Sequence, residues 1–210
     1  MSSVTIPPRR SAELSGSVIH AVAEAVQRLL EQGERYTTLG LQRIADESGI
    51  ARSTLYRYFP DKSALLIAVS TLATDEQFSV TAAWMEKETS TRDELDNTFR
   101  TLIRSHRDHA PLVRAMNEVA GYDEDVAAFW RKRIEQGAAN VSRFIANGQK
   151  SGVVNPSLDP GTTADLIVWG VERVATQHVT TQPADEDDEL ALRLAAAFWS
   201  TLGLDADWQR

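Results

Sequence analysis

The chain has no cysteine. That excludes disulfide frameworks, thiolate metal sites and thiol nucleophiles. No apolar run approaches the roughly 18 residues of a membrane span. The first fifteen residues, MSSVTIPPRRSAELS, hold no apolar stretch of the secretory kind. The expected location is the cytoplasm. Internal repeats, low-complexity tracts and alternating strand patterns are also missing, as are glycine-rich phosphate loops and nucleophile motifs. No catalytic residue, cofactor or enzyme activity is therefore expected. Basic residues are the scarcer charge, with 22 Lys and Arg against 30 Asp and Glu, a net charge of −8. An acidic chain repels phosphates unless its cations are gathered in one place.

The charge is unevenly divided. Residues 1–70 hold eight Arg and Lys against seven acids, a net +1, which leaves −9 for the remainder. The 210 residues are 42% hydrophobic and 25% charged, ordinary for a globular protein and ample for a real core. Residues 1–10 carry two prolines and no periodicity and read as a flexible tail. From there the patterning is helical, so the fold class is all-α. Ser11 or Ser15 can cap a first helix running to about Gln32, with Val18, Val22, Ala25 and Leu29 recurring at three- and four-residue steps.

Residues Ile44–Leu66, IADESGIARSTLYRYFPDKSALL, are the most informative stretch. A short helix closes at Gly49, a plausible left-handed C-cap. A second helix follows to Phe59, with Leu55 and Phe59 pointing inward. Arg52, Ser53, Tyr56 and Arg57 then share the opposite face. Pro60 stops that helix and Asp61 can cap the next. Two apolar-faced helices joined by a glycine turn form a helix-turn-helix, which places a short helix in the DNA major groove.

Helices are expected from Lys62 into the high eighties, over Thr91–Arg107 and Pro111–Ala120, and from Asp123 or Asp125 to about Lys150. After the turn-forming break SGVVNPSLDPG come two more, roughly Thr162–Thr180 and Glu186–Leu202. These last two are apolar over much of their circumference. Each needs two partners, its own domain on one side and a second chain or a ligand cavity on the other. The division expected is a tail over 1–10, a three-helix DNA-binding domain over 11–66, and a helical ligand-binding and dimerisation domain over 67–210.

The head resembles the TetR family of bacterial transcription regulators. Ile44-Ala45, Gly49-Ile50, Leu55-Tyr56, Tyr58-Phe59 and Lys62 stand at that family's spacing. The segment Ser79–Leu202 is similar to the ligand domain of the EthR-like branch through Trp84, EDVAAFWRKRIEQ (Glu124–Gln136), GVERVA (Gly170–Ala175) and Trp199. The resemblance implies a repressor that binds palindromic double-stranded DNA as a homodimer through its last two helices. It also implies release by a small, largely apolar ligand. By position it places Arg52, Ser53, Thr54, Tyr56, Arg57, Tyr58 and Lys62 at DNA contacts, and Arg43 of the preceding helix joins that set. Gly40 and Ala51 stand where Ser or Thr commonly caps the two helices, so two positioning contacts are weakened. Gly is a tolerable cap and Ala a poor one.

The chemistry suits those roles. Arg reads guanine bidentately through O6 and N7, which makes Arg52, in the first turn, the best base reader. Tyr56 and Tyr58 offer hydroxyls to phosphates and rings to thymine methyls. Lys62, at the start of a helix, is placed to attract a phosphate. In the body, the ligand candidates are Trp84, Phe99, Tyr122, Phe129, Trp130, Phe144 and Trp169, with Asn117, Glu172 and Arg173 as polar groups and Trp169 with Asn117 as the leading pair. Glu172 and Arg173 are adjacent, so they face different ways. His106 and His109 stand three apart, a metal-binding spacing, but without cysteine and with only scattered acids no metal site is expected. The alternatives are a small-molecule sensor whose head no longer binds DNA specifically, and a hydrolase using His106.

Overall fold

A computed structural model of the chain describes residues 8–87 and 91–205, with the backbone alone described for 8–15 and 76–78. Every regular element among them is helical: α1 (Pro8–Glu31), α2 (Leu41–Ser48), α3 (Arg52–Tyr58), α4 (Lys62–Met85), α5 (Arg92–Asp108), α6 (Ala110–Ala120), α7 (Glu124–Lys150), α8 (Pro160–Thr181) and α9 (Asp187–Leu202), with a 3-10 turn at Ala184–Glu186. The all-α expectation holds, and most helix ends fall within a few residues of those expected. The exception is α1, which begins at Pro8, inside the stretch read as a tail. Proline suits a first helical position because its missing amide has no helical partner there anyway. Residues 1–7 of that stretch lie outside the described residues.

The chain divides into two compact units. One comprises the residues up to Ala73 together with Pro111–Ala127, and the other comprises Thr74–Ala110 and the residues from Ala128 on. The packing thus adds α6 to the head, beyond the segment 11–66 delimited from sequence. Leu112, Val113, Ala115, Met116 and Val119 of α6 are buried. Two hydrogen bonds fasten this insertion. Thr37 Oγ1 donates to Glu118 Oε1 at 3.2 Å, and Ser63 Oγ donates to Asp123 Oδ2 at 2.5 Å. The Ser63 bond holds the Asp123 carboxyl below its usual range.

Within the head, Val22, Ala25, Val26 and Leu29 of α1, Ile44 and Ala45 of α2, and Leu55 of α3 are buried with Phe59. Helix α3 has seven residues, too few to persist alone in water. Burying large side chains such as Leu55 and Phe59 stabilises by about 1.5–3 kcal/mol each, and that packing holds it. Gly49 adopts φ 68°, ψ 13°, and its amide reaches Ala45 O, the left-handed cap expected. Asp61 Oδ1 accepts from the Ala64 amide at 2.7 Å and caps α4.

The second unit is built around Leu95, Phe99 and Ile103 of α5, Val141 and Ile145 of α7, Ala164 and Ala175 of α8, and Ala191, Ala195, Phe198 and Leu202 of α9. Helix α5 opens on a capping box, with the Thr91 hydroxyl accepting from the Glu94 amide while Glu94 reaches back to the Thr91 amide. The turn between α8 and α9 is clamped by one side chain. Arg107 donates to Val179 O (2.9 Å), Gln182 O (3.0 Å), Pro183 O (3.3 Å) and both oxygens of Asp187 (3.0 and 2.5 Å). A planar guanidinium with five donors suits such a cluster of acceptors.

Candidate nucleic-acid interface and ligand cavity

The candidate interface lies on α3. Leu55 anchors the helix from below, so residues at other angles around it face solvent. Arg52, Ser53, Tyr56 and Arg57 are exposed, while Thr54 and Tyr58 are half-buried. The Arg52 guanidinium sits 5.3 Å from the Tyr56 ring centroid, and Arg57 lies the same distance from the Tyr58 ring. Stacking on a ring fixes the guanidinium plane and leaves its edge donors open to a bidentate acceptor. Ion pairs among the described residues involve other arginines, so these two guanidinium groups keep their charge for an outside partner. Gly40 and Ala51 occupy the N-cap positions of α2 and α3, and neither supplies a side-chain cap.

Two further candidates have other occupations. Arg43 pairs with Glu47 at 3.1 Å and with Glu34 at 3.2 Å, on an exposed part of α2. Glu47 also receives Arg28 at 3.1 Å, and these two arginines hold its carboxyl below the usual range. Lys62 is half-buried, with Nζ donating to Tyr36 O at 2.7 Å and Thr37 O at 3.0 Å and lying 5.2 Å from the Tyr36 ring centroid. The Tyr36 hydroxyl donates to Lys62 O at 2.7 Å, so the pair is reciprocal. A cation at a helix N-terminus is opposed by the helix dipole, and two carbonyls within hydrogen-bond reach offset that. Burial lowers the Lys62 pKa.

The second unit contains a cavity of about 120 Å³. Its wall takes Thr81, Trp84 and Met85 from α4; Leu95, Thr98, Phe99, Leu102 and His106 from α5; Trp130, Ile134, Gly137, Asn140 and Val141 from α7; Ile167, Val168, Val171 and Glu172 from α8; and Phe198 from α9. Aromatic rings frame it: Trp84 lies 5.8 Å edge-on from Phe198, which is 6.0 Å from Phe99. A dry apolar cavity of about 150 Å³ accepts a benzene-sized molecule, so this one is on the scale of an aromatic ring.

Of the ligand candidates, the cavity gathers Trp84, Phe99, Trp130 and Glu172. Phe129, Phe144, Trp169 and Arg173 do not line it, and Trp169 and Arg173 are exposed on α8. Asn117 and Tyr122 belong to the other unit and are exposed there. The leading pair, Trp169 with Asn117, is therefore split between units: Asn117 is on the solvent side of α6, whose other face carries the buried Met116 and Val119. Burial raises the Glu172 pKa, and the Thr176 hydroxyl, donating to Oε1 at 3.0 Å, opposes that. Sequence reasoning places His106 in the alternative hydrolase reading alone and expects no metal there; the structure puts it in the cavity wall with only 7% of its surface exposed. His106 and His109 each place Nδ1 against the carbonyl four residues earlier, at 3.1 and 2.9 Å.

The pattern on α2–α4 has a match. Residues 23–69 fit the family model for bacterial regulatory proteins of the tetR family. HTH-type transcriptional regulator EthR of Mycolicibacterium smegmatis is 25% identical over 164 residues, covering 76% of this chain and 75% of EthR. The head of this chain belongs to the TetR family. As a TetR-family transcriptional regulator the chain binds DNA and is not an enzyme. The matched stretch includes every interface candidate from Arg43 to Lys62 and no residue of the cavity. Nucleoid occlusion factor SlmA of Haemophilus influenzae is 30% identical over 114 residues, about half of each chain. Among solved structures, the fatty acid degradation regulator FadR from Bacillus halodurans superposes with a TM-score of 0.72 at 17% identity, covering 94% of this chain and 98% of FadR. A TetR transcription regulator from Haloarcula marismortui gives 0.67 at 22% identity, covering 91% and 98%. These structural likenesses establish that this TetR-family regulator shares their fold. No helix among the described residues is long and apolar enough to cross a membrane.

Proposed function

We propose that this regulator is a cytoplasmic repressor that binds a palindromic operator as a homodimer and leaves it when a small, largely apolar ligand fills the cavity of the second unit. The observation that carries the reading is the outward face of α3, where Arg52 and Arg57 stack on tyrosines and have no acidic partner among the described residues. Half-sites read by two such helices stand one helical turn apart, about 34–36 Å. The α8 surface supports a second copy. Leu166, Trp169 and Val174 are 72%, 43% and 43% exposed, apolar area that a single chain leaves in water.

Ligand control requires a difference in affinity between two states. A ligand that bound the DNA-competent and the released forms equally well would shift nothing. The test is selection of binding sites from random duplex DNA, followed by titration of the selected site with wild-type protein and Arg52→Ala. The expected result is a palindrome, with the variant losing about 1–3 kcal/mol of discrimination at one base pair of each half-site. Uniform, strongly salt-dependent binding with no enriched sequence would refute the operator reading and favour a sensor whose head has lost specificity.

A further inference from the structure

We propose that the ligand is a hydrophobic amine, a compact and preferably aromatic body carrying a protonated nitrogen that Glu172 and His106 receive. The proposal rests on the reading of this cavity as the effector site and adds the chemical class of the effector.

Three observations lead there. First, no Lys or Arg side chain lines the cavity, so an anionic head group would be buried without a counter-charge. Second, its two strongest polar groups are acceptors. Glu172 Oε1 takes the Thr176 hydroxyl at 3.0 Å, which leaves Oε2 without a protein donor among the described residues. At His106, Nδ1 lies 3.1 Å from Leu102 O. A carbonyl only accepts, so Nδ1 carries the proton. Burial pulls the ring pKa down and keeps it neutral, so Nε2 presents a lone pair. Third, Trp84, Phe99 and Trp130 add aromatic surface to the wall, and ring faces attract cations. An ammonium brings three donors and a positive charge to these acceptors, whereas a carboxylate brings two more acceptors and a charge of the wrong sign.

Glu172 itself also has reason to prefer such a guest. A carboxylate that loses water without gaining a counter-charge is held partly by protonation, and burial raises its pKa accordingly. Arg173, its neighbour in sequence, is exposed on α8 and acts on it only as a nearby charge. A bound ammonium would supply the missing partner inside the cavity.

The experiment uses the full chain and three probes that share one phenethyl body and differ in the head group: phenethylamine, phenethyl alcohol and hydrocinnamate. Each is titrated by calorimetry near neutral pH against wild type and Glu172→Gln. The expected result is that phenethylamine binds wild type about tenfold more tightly than hydrocinnamate. The variant loses about tenfold for the amine and less than about twofold for the alcohol. Hydrocinnamate binding as tightly as the amine, or equal losses for amine and alcohol in the variant, would overturn the amine assignment and leave the effector-site reading standing. If none of the three binds wild type, the assignment and the effector-site reading fall together. Should the variant fail to fold, the wild-type ranking of the three probes decides.

Discussion

Lys62 gives the sharpest contrast between position and partner. Its place at the start of α4 matches a phosphate contact, yet its ammonium is held by Tyr36 O and Thr37 O. Consider Lys62→Met, which keeps the apolar stem and removes the charge. Hydrogen bonds to a charged group contribute about 1.5–3 kcal/mol each. Lys62 is half-buried, so the lower end applies, and the two bonds together are worth about 3 kcal/mol. Freeing the side chain returns about 1 kcal/mol of entropy, which leaves a net loss of about 2 kcal/mol. For a chain of this length that is a fall in Tm of about 4–8 °C, read by circular dichroism. The second readout is operator affinity against salt. A residue that positions the head internally leaves the slope of log K against log salt unchanged, whereas loss of a phosphate contact lowers it by about one. An unchanged Tm with a slope reduced by about one would refute the internal role and restore Lys62 as a phosphate ligand.

Three other expectations follow from the same geometry. A Cβ built on Gly148 would overlap the fully buried Val154 side chain, so Gly148→Ala should cost about 1–3 kcal/mol in a thermal melt, and a neutral result would mean that the residues around Val154 yield. Arg107 holds the Asp187 carboxyl below its usual range. A depressed carboxylate stabilises fully above the unfolded value near 3.8, and that contribution is lost as pH falls through the lower folded value. Asp187→Asn should therefore lose about 1–2 kcal/mol at neutral pH and show a shallower acid transition than wild type, and parallel acid profiles would contradict this. Leu166→Glu, which puts a charge on the exposed apolar face of α8, should shift the chain from twice its mass to its own mass in light scattering, and an intact dimer would move the interface elsewhere.

Helix spans and the inward faces of α1, α2 and α3 were legible because a period of three to four residues is a local property of the sequence. Val22, Ala25 and Leu29 state it within eight residues, and nothing distant alters it. Caps were legible for the same reason, since Gly49 and Asp61 act on amides and carbonyls a few residues away. Attachments between distant segments were not. Thr37 with Glu118, Ser63 with Asp123 and Arg107 with Asp187 join residues 81, 60 and 80 apart, and no pattern announces them. For that reason α6 was read with the body when its packing belongs to the head, and Lys62 was read as reaching outward.

Glu172 sits between these cases. On α8 the buried Ala164, Ala175 and Val179 and the half-buried Val168 and Val171 mark one stripe, and Glu172 falls on it, four residues after Val168 and three before Ala175. An acid on an apolar stripe is a local signal, because a carboxylate there must find a donor or be desolvated at a cost of several kcal/mol. Arg173, one position on, falls off the stripe and is exposed. Periodicity thus separates the two members of the pair, while the donor that Glu172 awaits depends on α4, α5 and α7 bringing Trp84, His106 and Trp130 to the same wall. The residue proposed to select the ligand is visible in one helix, but the acceptor chemistry behind that proposal exists only once four helices have packed around it.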